Sequence, residues 1–240
     1  MKRYIFILLL LGLNLMAQSK GTDLKYADSL FKHGRQNEAS LIYEKYIAQA
    51  PNKDLVPLPI YYKVAYMSEK RNDYAKALYY LSLIYNRQPK QVVMNKINEI
   101  ASANALQGFE VDDFSFVFLF FRNYSIYLTL FLLSAGIYTC VVLWQKYRQN
   151  EPIRNRHKWV LVAYLMALLL LLNLPSSYQI AIVNKSPVYM REMPSSAAPV
   201  KWTITKGNKL VIIGEEDEWW QIWWEQKTLY VRKLDVWKIG

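Results

Sequence analysis

The spacing of apolar residues changes along the chain, and each change marks a different kind of element. Residues 4–13 form an unbroken apolar run behind Lys2 and Arg3, closed by 14–17 with Ala17 at the exit. A positive start, an apolar core and a small-residue exit make 1–17 a signal peptide by pattern. From 18 to 110 apolar positions recur three and four apart, the period of helices with one buried face. Tyr61, Val64, Ala65 and Ser68 share such a face, and so do Tyr74, Ala77, Leu78, Leu81 and Ile84. Val93, Ile97, Ile100, Ala101 and Ala105 continue the period in a further helix. Two long apolar runs follow, and beyond Ser186 the period shortens to alternation. Stretches 187–191, 201–205, 209–214, 219–224 and 228–233 read as five short strands separated by turn residues.

The two apolar runs predict transmembrane helices at 123–144 and 159–182. The first holds a charge-free stretch of about 20 residues, the length a bilayer core requires. The second carries Pro175, which either kinks the helix or ends it. Between them, 145–158 contains Lys146, Arg148, Arg154, Arg156 and Lys158 against Glu151 alone. Short loops this rich in Lys and Arg stay on the cytoplasmic side. Both flanking regions, 18–110 and 184–240, are then exported, as the signal peptide also requires.

Charge and composition narrow the chemistry. The net charge of +11 concentrates between the apolar runs and at the N-terminus, instead of on one soluble face. That argues for membrane topology and against nucleic-acid binding. Cys140 is the sole cysteine, and His33 and His157 are the two histidines. No metal site, cofactor motif or catalytic set emerges from these residues, so no enzyme is expected. His33 beside Gly34 reads as a helix C-cap.

Residues 26–51 align with 64–89 at a constant offset of 38, pairing Ala27 with Ala65, Ala39 with Ala77, Tyr43 with Leu81 and Pro51 with Pro89. Small, small, large and proline at these spacings resemble the tetratricopeptide repeat. The resemblance implies a concave face lined by Leu24, Asp28, Phe31, Tyr62, Tyr66 and Glu69. Phe31, Tyr62, Tyr66 and Glu69 are the candidate partner-binding residues, with ordinary interhelical packing as the alternative. In the last region, 190–196, Lys206-Gly207 and 218–222 resemble the bacterial SH3-like pattern, which implies a small all-β barrel. Alternation along 219–224 leaves Trp219 and Trp223 together on one face as a second binding candidate, or as a surface packed on the membrane.

The order of signal, helical repeats, two spans and SH3-like domain resembles the BatE-type proteins of bacterial aerotolerance operons. That resemblance implies a two-pass protein of the inner membrane with both soluble domains in the periplasm. It further implies partnership with membrane-anchored von Willebrand A-type proteins and a MoxR-type ATPase, and a link to oxidative-stress tolerance. A non-enzymatic scaffold is the function expected on this basis, and a peptidoglycan-binding envelope sensor is the alternative.

Overall fold

The computed structural model describes residues 23–109, 113–149, 155–173 and 179–239. The expected signal peptide, 1–17, lies outside the described residues. The chain divides into two compact units, 1–106 and 107–240.

The first unit is helical. Its elements are α1 over 23–32, α2 (Gln36–Ala48), α3 (Leu58–Lys70), α4 (Tyr74–Arg87) and α5 (Gln91–Ala103), with a 3-10 turn at Lys53–Leu55. α3 and α4 make the most extensive packing, flanked by α2 and α5. Ala27, Ala39, Ala65 and Ala77 are buried where helices approach, and Tyr43, Tyr61, Val64, Leu78 and Ile84 fill the space beside them. Close-packed interiors need this alternation of small and large side chains. The turn before α3 is pinned from two sides. Tyr61 Oη donates to the Lys53 carbonyl at 2.9 Å, and Arg87 donates to the carbonyls of Val56 (2.6 Å) and Lys53.

The second unit begins with α6 (Asp113–Arg148) and α7 (Asn155–Asn173), which pack on each other. Seven strands follow: β1 (Gln179–Val183), β2 (Val188–Arg191), β3 (Val200–Ile204), β4 (Lys209–Glu216), β5 (Trp219–Trp224), β6 (Lys227–Arg232) and β7 (Val236–Ile239). They form one antiparallel sheet in the order β3-β2-β6-β5-β4-β1-β7. Its core gathers Met190, Leu210, Ile212, Ile222, Leu229 and Val231 with Trp220 and Trp224. The β5–β6 hairpin turns on Glu225 and Gln226, both at positive φ (45° and 62°), the backbone that matches the twist of a tight hairpin.

Two expectations are overturned here. Among the described residues one helix, over Ile126–Lys146, is long and apolar enough to cross a membrane, where two spans were expected. The apolar part of α7 from Trp159 to Leu172 reaches only about 21 Å, short of the roughly 30 Å of a bilayer core. The residues expected to complete the second span are in part strand: Gln179–Val183 pair with β4 and β7. Ile and Val at 180, 182 and 183 suit a buried strand as well as a lipid-facing helix, so the apolar run alone misassigned them. The two-pass topology is therefore corrected. The SH3-like barrel is corrected as well, because β3 and β7 remain at the two edges of an open sheet. Strands β1 and β7 extend the sheet beyond β4 instead of closing it.

Candidate binding groove on the helical unit

Tyr62, Tyr66 and Glu69 are spaced four and three apart on α3, which sets them on one helix face. Opposite them stands the start of α5, with Val92, Val93 and Lys96, preceded by Lys90. A groove of about 440 Å³ lies between, with the buried Ala65 and Leu81 also in its lining. Tyr62 is 40% and Tyr66 43% exposed, and Val92 is exposed as well. Large apolar surface is thus left open in a unit whose other core tyrosines are covered.

Phe31 does not line the groove but buttresses it, meeting the Tyr66 ring edge-on with centroids 6.3 Å apart. The Lys70 ammonium lies 5.7 Å from the Tyr66 ring centroid. Glu69 accepts from Lys96 at 2.7 Å, and Lys96 also reaches Glu99 at 3.0 Å. These two hydrogen bonds raise the Lys96 ammonium pKa above its ordinary value. Lys90 is exposed and makes no ion pair among the described residues. The groove therefore joins apolar walls to one neutralised ion pair and one uncompensated cation.

Asp28 and Leu24, expected on the same surface, are placed elsewhere. Leu24 is half-buried and outside the groove lining. Asp28 accepts from Lys63 at 2.6 Å and from the Tyr43 hydroxyl. Burial raises the Asp28 carboxyl, but these hydrogen bonds outweigh it and hold the group below its ordinary range. Burial and the same hydrogen bond drive the Tyr43 phenol strongly upward. Asp28 is thus an interhelical tie. Sequence reasoning missed Lys90, Val92 and Lys96 as groove residues. The restart of the helical period after Pro89 located α5, but nothing local says which helix it faces.

In the sheet unit Trp219 and Trp223 do not make one exposed pair. Trp219 is 7% exposed beneath Arg232, whose guanidinium lies 5.5 Å from the ring centroid, while Trp223 is 48% exposed. Trp223 sits across from Val211 and Thr228 in the register. Of the basic residues used for topology, Lys146 and Arg148 are exposed at the end of α6, and Arg148 covers Trp144 at 5.4 Å. Arg156 and Lys158 fall in the first turn of α7, and Arg154 lies outside the described residues. Among the described residues no group of three or more His, Cys, Asp or Glu side chains could hold a metal ion.

No protein-family model matches the chain, and no curated protein matches it. The resemblances to tetratricopeptide repeats, to SH3-like domains and to BatE-type proteins thus find no match. Together with the single candidate span and the open sheet, this withdraws the scaffold reading, its cell-wall-sensor alternative and the two-pass inner-membrane location.

Proposed function

We propose that the chain is a non-catalytic binding protein whose helical unit holds a short polypeptide segment, and that α6 anchors it in a membrane. One observation carries the binding reading: two half-exposed tyrosines on α3 face an exposed valine and an uncompensated lysine across an open groove. Tyrosine offers large contact area at low side-chain entropy cost, which suits it to recognition surfaces. The carboxylates nearby favour binding over acid–base chemistry, since Glu69 is neutralised by Lys96 and Asp28 by Lys63. With the family resemblance withdrawn, the partner is defined by groove chemistry alone. It is a segment that sets an apolar side chain between Tyr62 and Val92 and a carboxylate near Lys90.

The test is selection of displayed random peptides on the detergent-solubilised full chain, with a Tyr62→Ala, Tyr66→Ala double variant as counter-target. Peptides that combine an apolar and an acidic residue are expected, with binding lost on the double variant. Lys90→Glu should turn the selection towards basic peptides. Equal binding to the wild type and the double variant overturns the reading.

A further inference from the structure

The second unit holds an apolar cleft that the helical groove does not involve. α7 meets α6 through Leu161, Tyr164 and Leu168, spaced three and four apart on one face, and of these Leu168 is buried. The facing stripe of α6 runs through Leu132, Ala135 and Gly136 to Val142 and Leu143, all partly covered. The helices leave little room at Gly136, where an added Cβ would stand 3.2 Å from Tyr164 Cε1. There Tyr164 Oη donates to the Leu132 carbonyl, which seats the ring against the α6 backbone. Beyond that contact the helices leave a cleft of about 300 Å³, lined by Tyr138, Thr139, Val142, Leu143, Val160, Leu161 and Tyr164.

Three features define what fits it. The α6 part of the cleft lies inside Ile126–Lys146, the segment able to cross a membrane, so hydrocarbon is the surrounding solvent if that helix spans. One residue past the cleft on each helix stands an exposed tryptophan, Trp144 and Trp159, the residue that collects at headgroup level. Just beyond Trp144 come Lys146 and Arg148, about 12 Å along the helix from Tyr138 to Lys146. Apolar walls, then indoles, then cations is the profile of an anionic phospholipid read from chain to headgroup.

We infer that the α6–α7 cleft seats one acyl chain of an anionic phospholipid, with its headgroup at Lys146 and Arg148. The inference rests on the membrane reading of α6. A chain in the cleft fills space that the Gly136–Tyr164 contact otherwise leaves open, and it makes the pair of helices a lipid-filled wedge. Polar ligands gain little there, because the Thr139 and Tyr164 hydroxyls of the lining already donate to the Gly136 and Leu132 carbonyls.

The experiment uses the full chain in lipid nanodiscs that contain phosphatidylglycerol with a diazirine in one acyl chain, followed by peptide mapping of the photolabel. Label is expected to concentrate on 138–143 and 160–164 over the outward positions Ile126, Leu130 and Phe131. Phosphatidylcholine with the same diazirine chain should label the cleft about thirtyfold less, the combined effect of two interfacial cations. Val142→Trp, which fills the cleft, should remove that concentration, whereas Val141→Trp on the exposed face should not. If Val142→Trp fails to fold, competition of the wild-type label by unmodified phosphatidylglycerol serves in its place. Even labelling along the whole apolar surface, or failure of competition, overturns the cleft while leaving the membrane reading intact. Release of the chain from membranes by alkaline carbonate overturns the membrane reading, and the cleft assignment falls with it.

Discussion

The helical unit and the sheet unit both set cations over large aromatic residues, but the helical unit also ties its buried tyrosines through their hydroxyls. In the helical unit buried tyrosines use their hydroxyls to tie one element to another. Tyr43 bonds Asp28 of α1, Tyr61 bonds the turn before α3, and Tyr79 accepts from Lys53 at 2.6 Å. In the sheet unit tryptophans close the core and cations cover them. Arg232 lies over Trp219, Lys227 over Trp202, and Lys233 and Lys238 both lie over Trp220, at 5.0 and 4.8 Å. The difference follows from how each fold sets register. A sheet ladder positions its strands through the backbone, so its aromatics need only exclude water. Helices satisfy their backbone bonds internally, so side chains must fix how one helix meets the next.

The comparison breaks most readily at Tyr61. Tyr61→Ala removes a fully buried ring and its hydroxyl tie, and it should destabilise the helical unit by about 3–5 kcal/mol, read by chemical denaturation. Burial pushes the Tyr61 phenol up to about 12 while the Arg87 guanidinium draws it down, so the ring stays neutral in any ordinary buffer.

A smaller effect is expected at Tyr43. Tyr43→Phe keeps the ring and removes one donor to Asp28, at a cost of about 1–2 kcal/mol near neutral pH. The pH dependence follows from the lowered carboxyl of Asp28. Its contribution is complete above the unfolded value near 3.8 and is lost as pH falls through the lower folded value. The gap between wild type and Tyr43→Phe should therefore narrow on acidification, as thermal melts across that range would report. A gap that widens in acid would show that Asp28 is not held by this hydroxyl.

The smallest effect belongs to the sheet. Lys238→Ala leaves Trp220 under Lys233 and should cost less than about 1 kcal/mol, the scale of an exposed cation–π contact. A loss as large as that at Tyr61 would remove the contrast between the two units.

Much of the local structure was legible. The buried face Tyr61–Val64–Ala65–Ser68 follows from helical period, and the core residues Trp220, Ile222 and Trp224 follow from alternation along β5. Burial of Trp219 on the opposite face was not legible, because it depends on Arg232 arriving from β6. Asn208 read as a turn residue, yet it is 5% exposed and satisfied on both sides. Its side chain accepts from the Gln107 amide at 2.7 Å and donates to the Thr205 carbonyl at 2.9 Å. A tie to a residue 101 positions away leaves no trace in local pattern. The groove was half legible: Tyr62, Tyr66 and Glu69 share an α3 face by spacing, while its α5 wall required the fold.

By itself the sequence determined where the helices of the first unit and five of the seven strands form, because those properties depend on neighbours within a few positions. Tertiary structure alone decided that Gln179–Val183 joins a sheet instead of a membrane span, that the sheet stays open at β3 and β7, and that α5 stands opposite Tyr62 and Tyr66. An apolar run is equally content in lipid, in a helix core or between two strands, and only the partners supplied by the rest of the chain distinguish them.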